Sequence, residues 1–295
     1  MRRVLAAVST LAAMLLIPAH PAASVEAAAP SQVRLVRTSA WATPSPDPSG
    51  LTYRRSTKTL LISDPEVDEI PALWHKKDLF EATRGGRLRS TGRLTPTAMD
   101  PEDVAWDGQG DALYVTDDDQ DKVFRFSPGA DGKPGTRDDS ISTALSMHTF
   151  GVHDPEGLAY RASDRSLFVT EGATATIFHI TRGADGQFGT RDDRATHFNA
   201  AAVGMHDPED IEWSPKAHHL YIVSGKDKAV AVTTQTGALV RTIDLSFANL
   251  VHPAGITLAP GSKARAQTHI YIVDRGIDND TNPHENDGRL FEFAP

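Results

Sequence analysis

Asp100-Pro101-Glu102-Asp103-Val104-Ala105-Trp106 recurs almost unchanged as Asp154-Pro155-Glu156-Gly157-Leu158-Ala159-Tyr160 and again as Asp207-Pro208-Glu209-Asp210-Ile211-Glu212-Trp213. Two looser copies flank these three: Asp47-Pro48-Ser49-Gly50-Leu51-Thr52-Tyr53 before them and His252-Pro253-Ala254-Gly255-Ile256-Thr257-Leu258 after them. The copies start at 47, 100, 154, 207 and 252, at intervals of 53, 54, 53 and 45 residues. A fixed period of this size means one supersecondary unit, copied and stacked.

Within a unit, apolar residues recur with period 2, the mark of half-buried strands. In the third unit Leu158 and Tyr160 oppose Ala159, and then come Leu167-Phe168-Val169, Ile177-Phe178-His179-Ile180 and Ala195-Thr196-His197-Phe198, each bounded by turn residues. Four strands in each radially repeated unit predict an all-β fold, a β-propeller of five four-stranded blades. A sixth blade is the alternative, if the longer stretch 64–99 conceals one. The last unit supplies only three strands, around Gly255–Leu258, His269–Val273 and Arg289–Phe293. Val33-Arg34-Leu35-Val36-Arg37 alternates apolar and charged residues and belongs to no unit of its own. It is expected to pair with 289–293, completing the last blade and hiding the open edges. A single domain then covers 28–295.

The chain has 295 residues, 39% of them hydrophobic and 23% charged, with 22 Gly and 19 Pro, which excludes collagen-like, coiled-coil and largely disordered classes. Its formal charge of −9 leaves no basic field for nucleic acid or anionic lipid. With no cysteine, disulfides, thiolate metal sites and cysteine nucleophiles are all ruled out. Arg2 and Arg3 precede an uncharged apolar run from Val4 to Pro18, and Val25-Glu26-Ala27 places small residues for cleavage. Residues 1–27 therefore read as a signal peptide and the mature chain as a secreted or extracytoplasmic monomer with no membrane span.

In a propeller, the loop entering each inner strand and the hairpin between second and third strands open on one face. That places Glu102, Asp103, Glu156, Glu209 and Asp210 near the axis, with Asp64, Asp117, Glu171 and Asp274 ending second strands beside them. Converging carboxylates suit a hard cation with oxygen ligands, and Ca²⁺ is the expected one. The Asp-Pro pairs also suit turns that accept backbone N–H groups. The Glu positions are Ser49 and Ala254 in the other two units, so the repeat itself does not require an acid there.

Two hairpins are near copies: Gly129 to Asp139, carrying Asp131, Asp138 and Asp139, and Gly183 to Asp193, carrying Asp185, Asp192 and Asp193. Each is either a calcium loop or a turn capped by its own acids. The loop 278–288 is a third oxygen-rich segment. His153 and His206 precede Asp-Pro-Glu, and His252 replaces the Asp of the last unit, so three imidazoles are expected near the axis. His153, His206 and the symmetry-breaking Glu212 are the candidate catalytic groups.

With Asp-Pro-Glu-Asp/Gly leading into a strand, and second strands ending in an acid, the sequence resembles secreted propellers of the phytase-like and esterase-like type. More distantly it is similar to gluconolactonase/regucalcin-like propellers, whose axial Glu binds a divalent cation. The resemblance implies cation ligands at Glu102, Glu156 and Glu209 and at Asp103 and Asp210. A phytase-like site also implies a cluster of Lys and Arg for phosphate, where this chain has only scattered Lys122, Lys226, Lys228 and Arg275. Two functions follow: a calcium-binding module for a small molecule or an extracellular protein or polymer, or a metal-dependent hydrolase of esters, lactones or phosphoesters on the axial face.

Overall fold

The computed structural model describes residues 29–277, 282 and 284–295. The segment expected to be a signal peptide and the Asp278–Thr281 opening of the oxygen-rich loop lie outside the described residues. Strand β1 (Ser31–Arg37) is followed by a first blade of β2 (Leu51–Arg54), β3 (Thr59–Ser63), β4 (Leu79–Thr83) and β5 (Leu88–Gly92). The second blade holds β6 (Val104–Asp107), β7 (Ala112–Asp117), β8 (Lys122–Ser127) and β9 (Ser140–Ser146). The third holds β10 (Pro155–Arg161), β11 (Ser166–Glu171), β12 (Thr176–Thr181) and β13 (Arg194–Asn199). The fourth holds β14 (Pro208–Ser214), β15 (His219–Ser224), β16 (Ala229–Thr233) and β17 (Leu239–Asp244). The fifth is β18 (Pro253–Pro260), β19 (Thr268–Asp274) and β20 (Arg289–Ala294), with β1 as its outer strand.

The blade count is therefore five. The stretch 64–99 that left room for a sixth holds a 3-10 turn at Val67–Glu69 and then β4 and β5, the outer half of blade one. Ring closure follows the expected pairing, with Leu35 opposite Phe291 and Arg37 opposite Arg289, antiparallel.

Period-2 strands leave both faces of each inner sheet apolar, and both are buried against neighbouring blades. Five hydrophobic clusters result, each drawn from two adjacent blades. Between blades three and four, Phe168 is fully buried and stacks on Trp213 at 5.8 Å between ring centroids. Each such side chain contributes about 1.5–3 kcal/mol on burial. Among the described residues no helix is long and apolar enough to cross a membrane.

Candidate functional site

The fourth residue of the repeated motif runs Gly50, Asp103, Gly157, Asp210, Gly255 around the ring. The glycines leave no room for a side chain: a Cβ at Gly50 would come within 2.5 Å of the Asp103 Cα, and one at Gly157 within 2.4 Å of the Asp210 Cα. The two aspartates fill the axis between them. Asp103 accepts the Leu51 N–H on Oδ1 at 3.0 Å and the Leu158 N–H on Oδ2 at 2.6 Å, joining blades one, two and three. Asp210 accepts the Ile256 N–H at 2.6 Å from blade five and contacts the N–H of Ile211. The two carboxyls also hydrogen-bond to each other. Burial raises Asp103 to about 6 and, with Asp103 beside it, pushes Asp210 well above the carboxylate range. Asp103 and Asp210, read from the sequence as cation ligands, thus have their oxygens taken by backbone N–H groups and plug the axis.

Above the plug lies the acidic mouth. Glu102 is buried, accepts the Ser49 hydroxyl at 2.8 Å and is pushed up to about 8, mainly by burial. Glu156 is likewise pushed well above the usual carboxylate range, by burial and by Glu102 and Glu209 on either side. Glu209 pairs with His252, Oε1 to Nε2 at 3.0 Å, and this bond raises the His252 pKa. Asp207, Glu209 and His252 bring one ligand atom each to within 4.8 Å of one another. Arg275 is buried here, with its Nε 2.8 Å from Asp47 Oδ1 and a second nitrogen on Glu66. Burial opposes its charge, but Asp47, Glu102 and Glu66 outweigh that and hold it cationic. The acids of this mouth are therefore partly neutralised from within, by a residue that reads as scattered in the sequence.

The acids ending second strands prove architectural. Asp64 accepts Asp47 N–H at 3.1 Å, Asp117 accepts Met99 N–H at 2.6 Å, and Asp274 accepts His252 N–H at 2.7 Å. Each fastens the loop entering its own blade.

Only one of the three expected imidazoles reaches the acidic ring. His206 is more than half exposed and held by Asp227 of the β15–β16 hairpin, with Nδ1 to Oδ1 at 3.0 Å. His153 is likewise exposed and lies beside Asp121 of the β7–β8 hairpin. Both are corrected from axial candidates to rim residues; their loops turn outward before the Asp-Pro step, whereas His252 occupies that step. The twin hairpins are internally capped. Asp138 accepts Asp131 N–H and the Thr136 hydroxyl, and Asp139 accepts the N–H groups of Gly135 and Thr136 at 2.7 and 3.3 Å. Asp192 accepts Asp185 N–H and the Thr190 hydroxyl, and Asp193 accepts Gly189 and Thr190 at 2.8 and 3.2 Å.

Glu212 lies on the other side of the plug. There a cavity of about 510 Å³ opens on the opposite face, lined by Tyr53, Trp106, Tyr160, Trp213 and Glu212 among residues of all five inner strands. Glu212 accepts the Thr257 hydroxyl at 2.6 Å and is pushed up to about 7 by burial. Sequence reading missed this cavity, although the aromatic residue closing four of the five motif copies, Tyr53, Trp106, Tyr160 and Trp213, was its signal.

The chain belongs to the SdiA-regulated family, whose model matches residues 32–275. No curated protein matches it. Among solved structures it is similar to glutaminyl cyclase of Myxococcus xanthus, at TM-score 0.55 and 16% identity over 90% of this chain and 95% of that one. It is also similar to a gluconolactonase of Xanthomonas campestris, at TM-score 0.50 and 15% identity over 94% and 99%. Against virginiamycin B lyase of Staphylococcus aureus the TM-score is 0.45 at 15% identity, over 84% of this chain and 66% of that one. At these identities the likeness to the cyclase and the gluconolactonase shows a shared propeller fold alone.

Proposed function

We propose that the protein is an extracytoplasmic, divalent-cation-dependent hydrolase of carboxylic esters or lactones working at the acidic mouth. The observation that carries this reading is the convergence of Asp207, Glu209 and His252 within 4.8 Å, beside Glu156. The donor set fits a cation. Asp207, Glu209 and Glu156 would hold it, and the predominance of oxygen favours Ca²⁺. When bound, the cation supplies Lewis-acid polarisation of a carbonyl oxygen. The chain's own groups handle the proton: Glu209 orients His252 through Nε2, so the imidazole is placed to take and return one. Arg275 is already engaged by Asp47 and Glu66, which favours carboxylic over phosphoric substrates. The lactone class is in keeping with the gluconolactonase neighbour, which contributes fold alone.

The test pairs calorimetric Ca²⁺ titration with a panel of p-nitrophenyl esters and sugar lactones. Glu209→Gln should weaken Ca²⁺ binding and abolish hydrolysis that EGTA also removes. Wild-type protein that binds Ca²⁺ and cleaves nothing on the panel would overturn the enzymatic reading. The second reading, a binding module, is favoured by the aromatic cavity on the opposite face. Trp106 and Trp213 line it, so fluorescence quenching by a ligand that Trp106→Phe with Trp213→Phe abolishes would select that reading.

A further inference from the structure

Asp121, His148 and His153 form a second convergent group, outside the acidic ring. Asp121 closes the β7–β8 hairpin, His148 lies in the 3-10 turn Met147–Phe150 after β9, and His153 stands in the loop entering β10. Their ligand atoms fall within 4.8 Å of one another. His148 Nε2 is 2.8 Å from Asp121 Oδ2, and His153 Nδ1 is 4.0 Å from the same oxygen. The two rings meet edge-on at 4.7 Å between centroids.

The backbone carrying these three side chains is tied together. Met147 N–H bonds Asp121 O at 2.8 Å, Gly151 N–H bonds His148 O at 3.1 Å, and Val152 N–H bonds Met147 O at 3.2 Å. Glu171, the last residue of β11, lies beside the His153 main chain.

The repeat supplies an internal control. In the next unit Ala200 N–H bonds Ala175 O at 2.7 Å, as Met147 bonds Asp121. That superposes Ala175 on Asp121, Ala201 on His148 and His206 on His153. One unit further on, Leu245 N–H bonds Lys228 O at 3.0 Å, and the matching residues are Lys228, Ser246 and Val251. Asp121, Ala175 and Lys228 share the same left-handed backbone, at φ 49°, 51° and 48°. The fold therefore accepts Ala or Lys where Asp121 stands, and Ala or Ser where His148 stands. Two ligand-capable side chains occur together at one blade junction without any demand from the architecture.

We propose that Asp121, His148 and His153 bind one borderline transition-metal dication, of which Zn²⁺ is the type, on the rim of the acidic face. Two imidazoles and one carboxylate are the donor types such ions take, and ligand atoms around a tetrahedral ion sit about 3–3.5 Å apart. The separations to Asp121 bracket that spacing, so small side-chain rotations suffice. His148 and His153 are 58% and 62% exposed, so the remaining coordination positions face solvent and take water or an external donor. Asp118, Asp154 and Glu171 lie close by and add a negative field that attracts the ion.

The experiment is optical titration of the tag-free protein with Co²⁺, followed by displacement with Zn²⁺. Wild type should develop visible d–d bands saturating at one equivalent that Zn²⁺ bleaches. His148→Ala and Asp121→Ala copy the residues of the next unit, so both should fold with unchanged circular dichroism while losing about tenfold or more in Co²⁺ affinity. His252→Ala should leave these bands intact, whereas it alters the axial site of the proposed hydrolase. Absence of bands in wild type, bands unchanged in His148→Ala, or bands lost only in His252→Ala would each overturn the assignment.

Discussion

The carboxyls of Asp103 and Asp210 hydrogen-bond to one another on the propeller axis, and between them they accept backbone N–H groups from blades one, three and five. The two are not equivalent. Asp103 ties two neighbouring blades to its own, through the N–H groups of Leu51 and Leu158, whereas Asp210 ties one, through that of Ile256.

Asp103→Asn should therefore be costly and Asp210→Asn mild. An amide at 103 turns an NH₂ towards the N–H of Leu51 or Leu158, leaving a buried donor unpaired at about 1–3 kcal/mol. An amide at 210 can keep its carbonyl for Ile256, the one neighbouring blade that Asp210 fastens. Urea denaturation of the two variants should show the larger fall in midpoint for Asp103→Asn, and equal losses would contradict the unequal anchoring.

Glu212 sets a pH dependence. Its folded pKa of about 7 lies above the ordinary 4.5 of a glutamate, so the folded state holds the proton more tightly than the unfolded one. The resulting stabilisation is complete below about pH 4.5 and is lost as pH rises through about 7. It amounts to roughly 3 kcal/mol. Glu212→Gln removes this titration, so its melting temperature should fall less than that of wild type between mildly acidic and mildly alkaline buffer. Parallel profiles would show that Glu212 is ionised throughout.

The twin hairpins should be stabilised by their own hydrogen bonds. Asp139→Ala with Asp193→Ala should lower the melting temperature by the same amount in Ca²⁺ and in EGTA, because the lost partners are the amides of Gly135, Thr136, Gly189 and Thr190. A loss seen only with Ca²⁺ present would restore the calcium-loop alternative.

Removing residues 29–37 should destabilise the whole ring, since β1 pairs with β20 from Ser31–Ala294 to Arg37–Arg289. Thermal unfolding should shift down by far more than loss of an unpaired tail causes, and an unchanged transition would sink the closure.

The architecture was legible because repetition and period 2 are local properties of the chain. Unit starts, the three-strand last blade and its completion by Val33–Arg37 all follow from them. The site was legible only in part. Glu102, Glu156 and Glu209 stand out as departures from Ser49 and Ala254, and they do gather at one mouth. Asp103 and Asp210 misled because Gly50, Gly157 and Gly255 hold the same motif position, and that alternation records packing on the axis. Arg275 was not legible as a partner of Asp47, because 228 residues separate the two and only ring closure brings them together. The outward turn of His153 and His206 depends on hairpins of the same blade junctions, which no motif spacing encodes.

The pairing of Leu35 with Phe291 also orders events in time. On a ribosome the inner sheets can form one after another as each is synthesised, but β1 must wait for β20, which is made last. Until then Leu35 and Val36 lack their sheet partners, and the fifth blade exposes an open edge to other chains. The slow, concentration-sensitive step of folding is accordingly expected at this seam, and refolding yield should depend on protein concentration more steeply when β1 is weakened than when any outer strand elsewhere is.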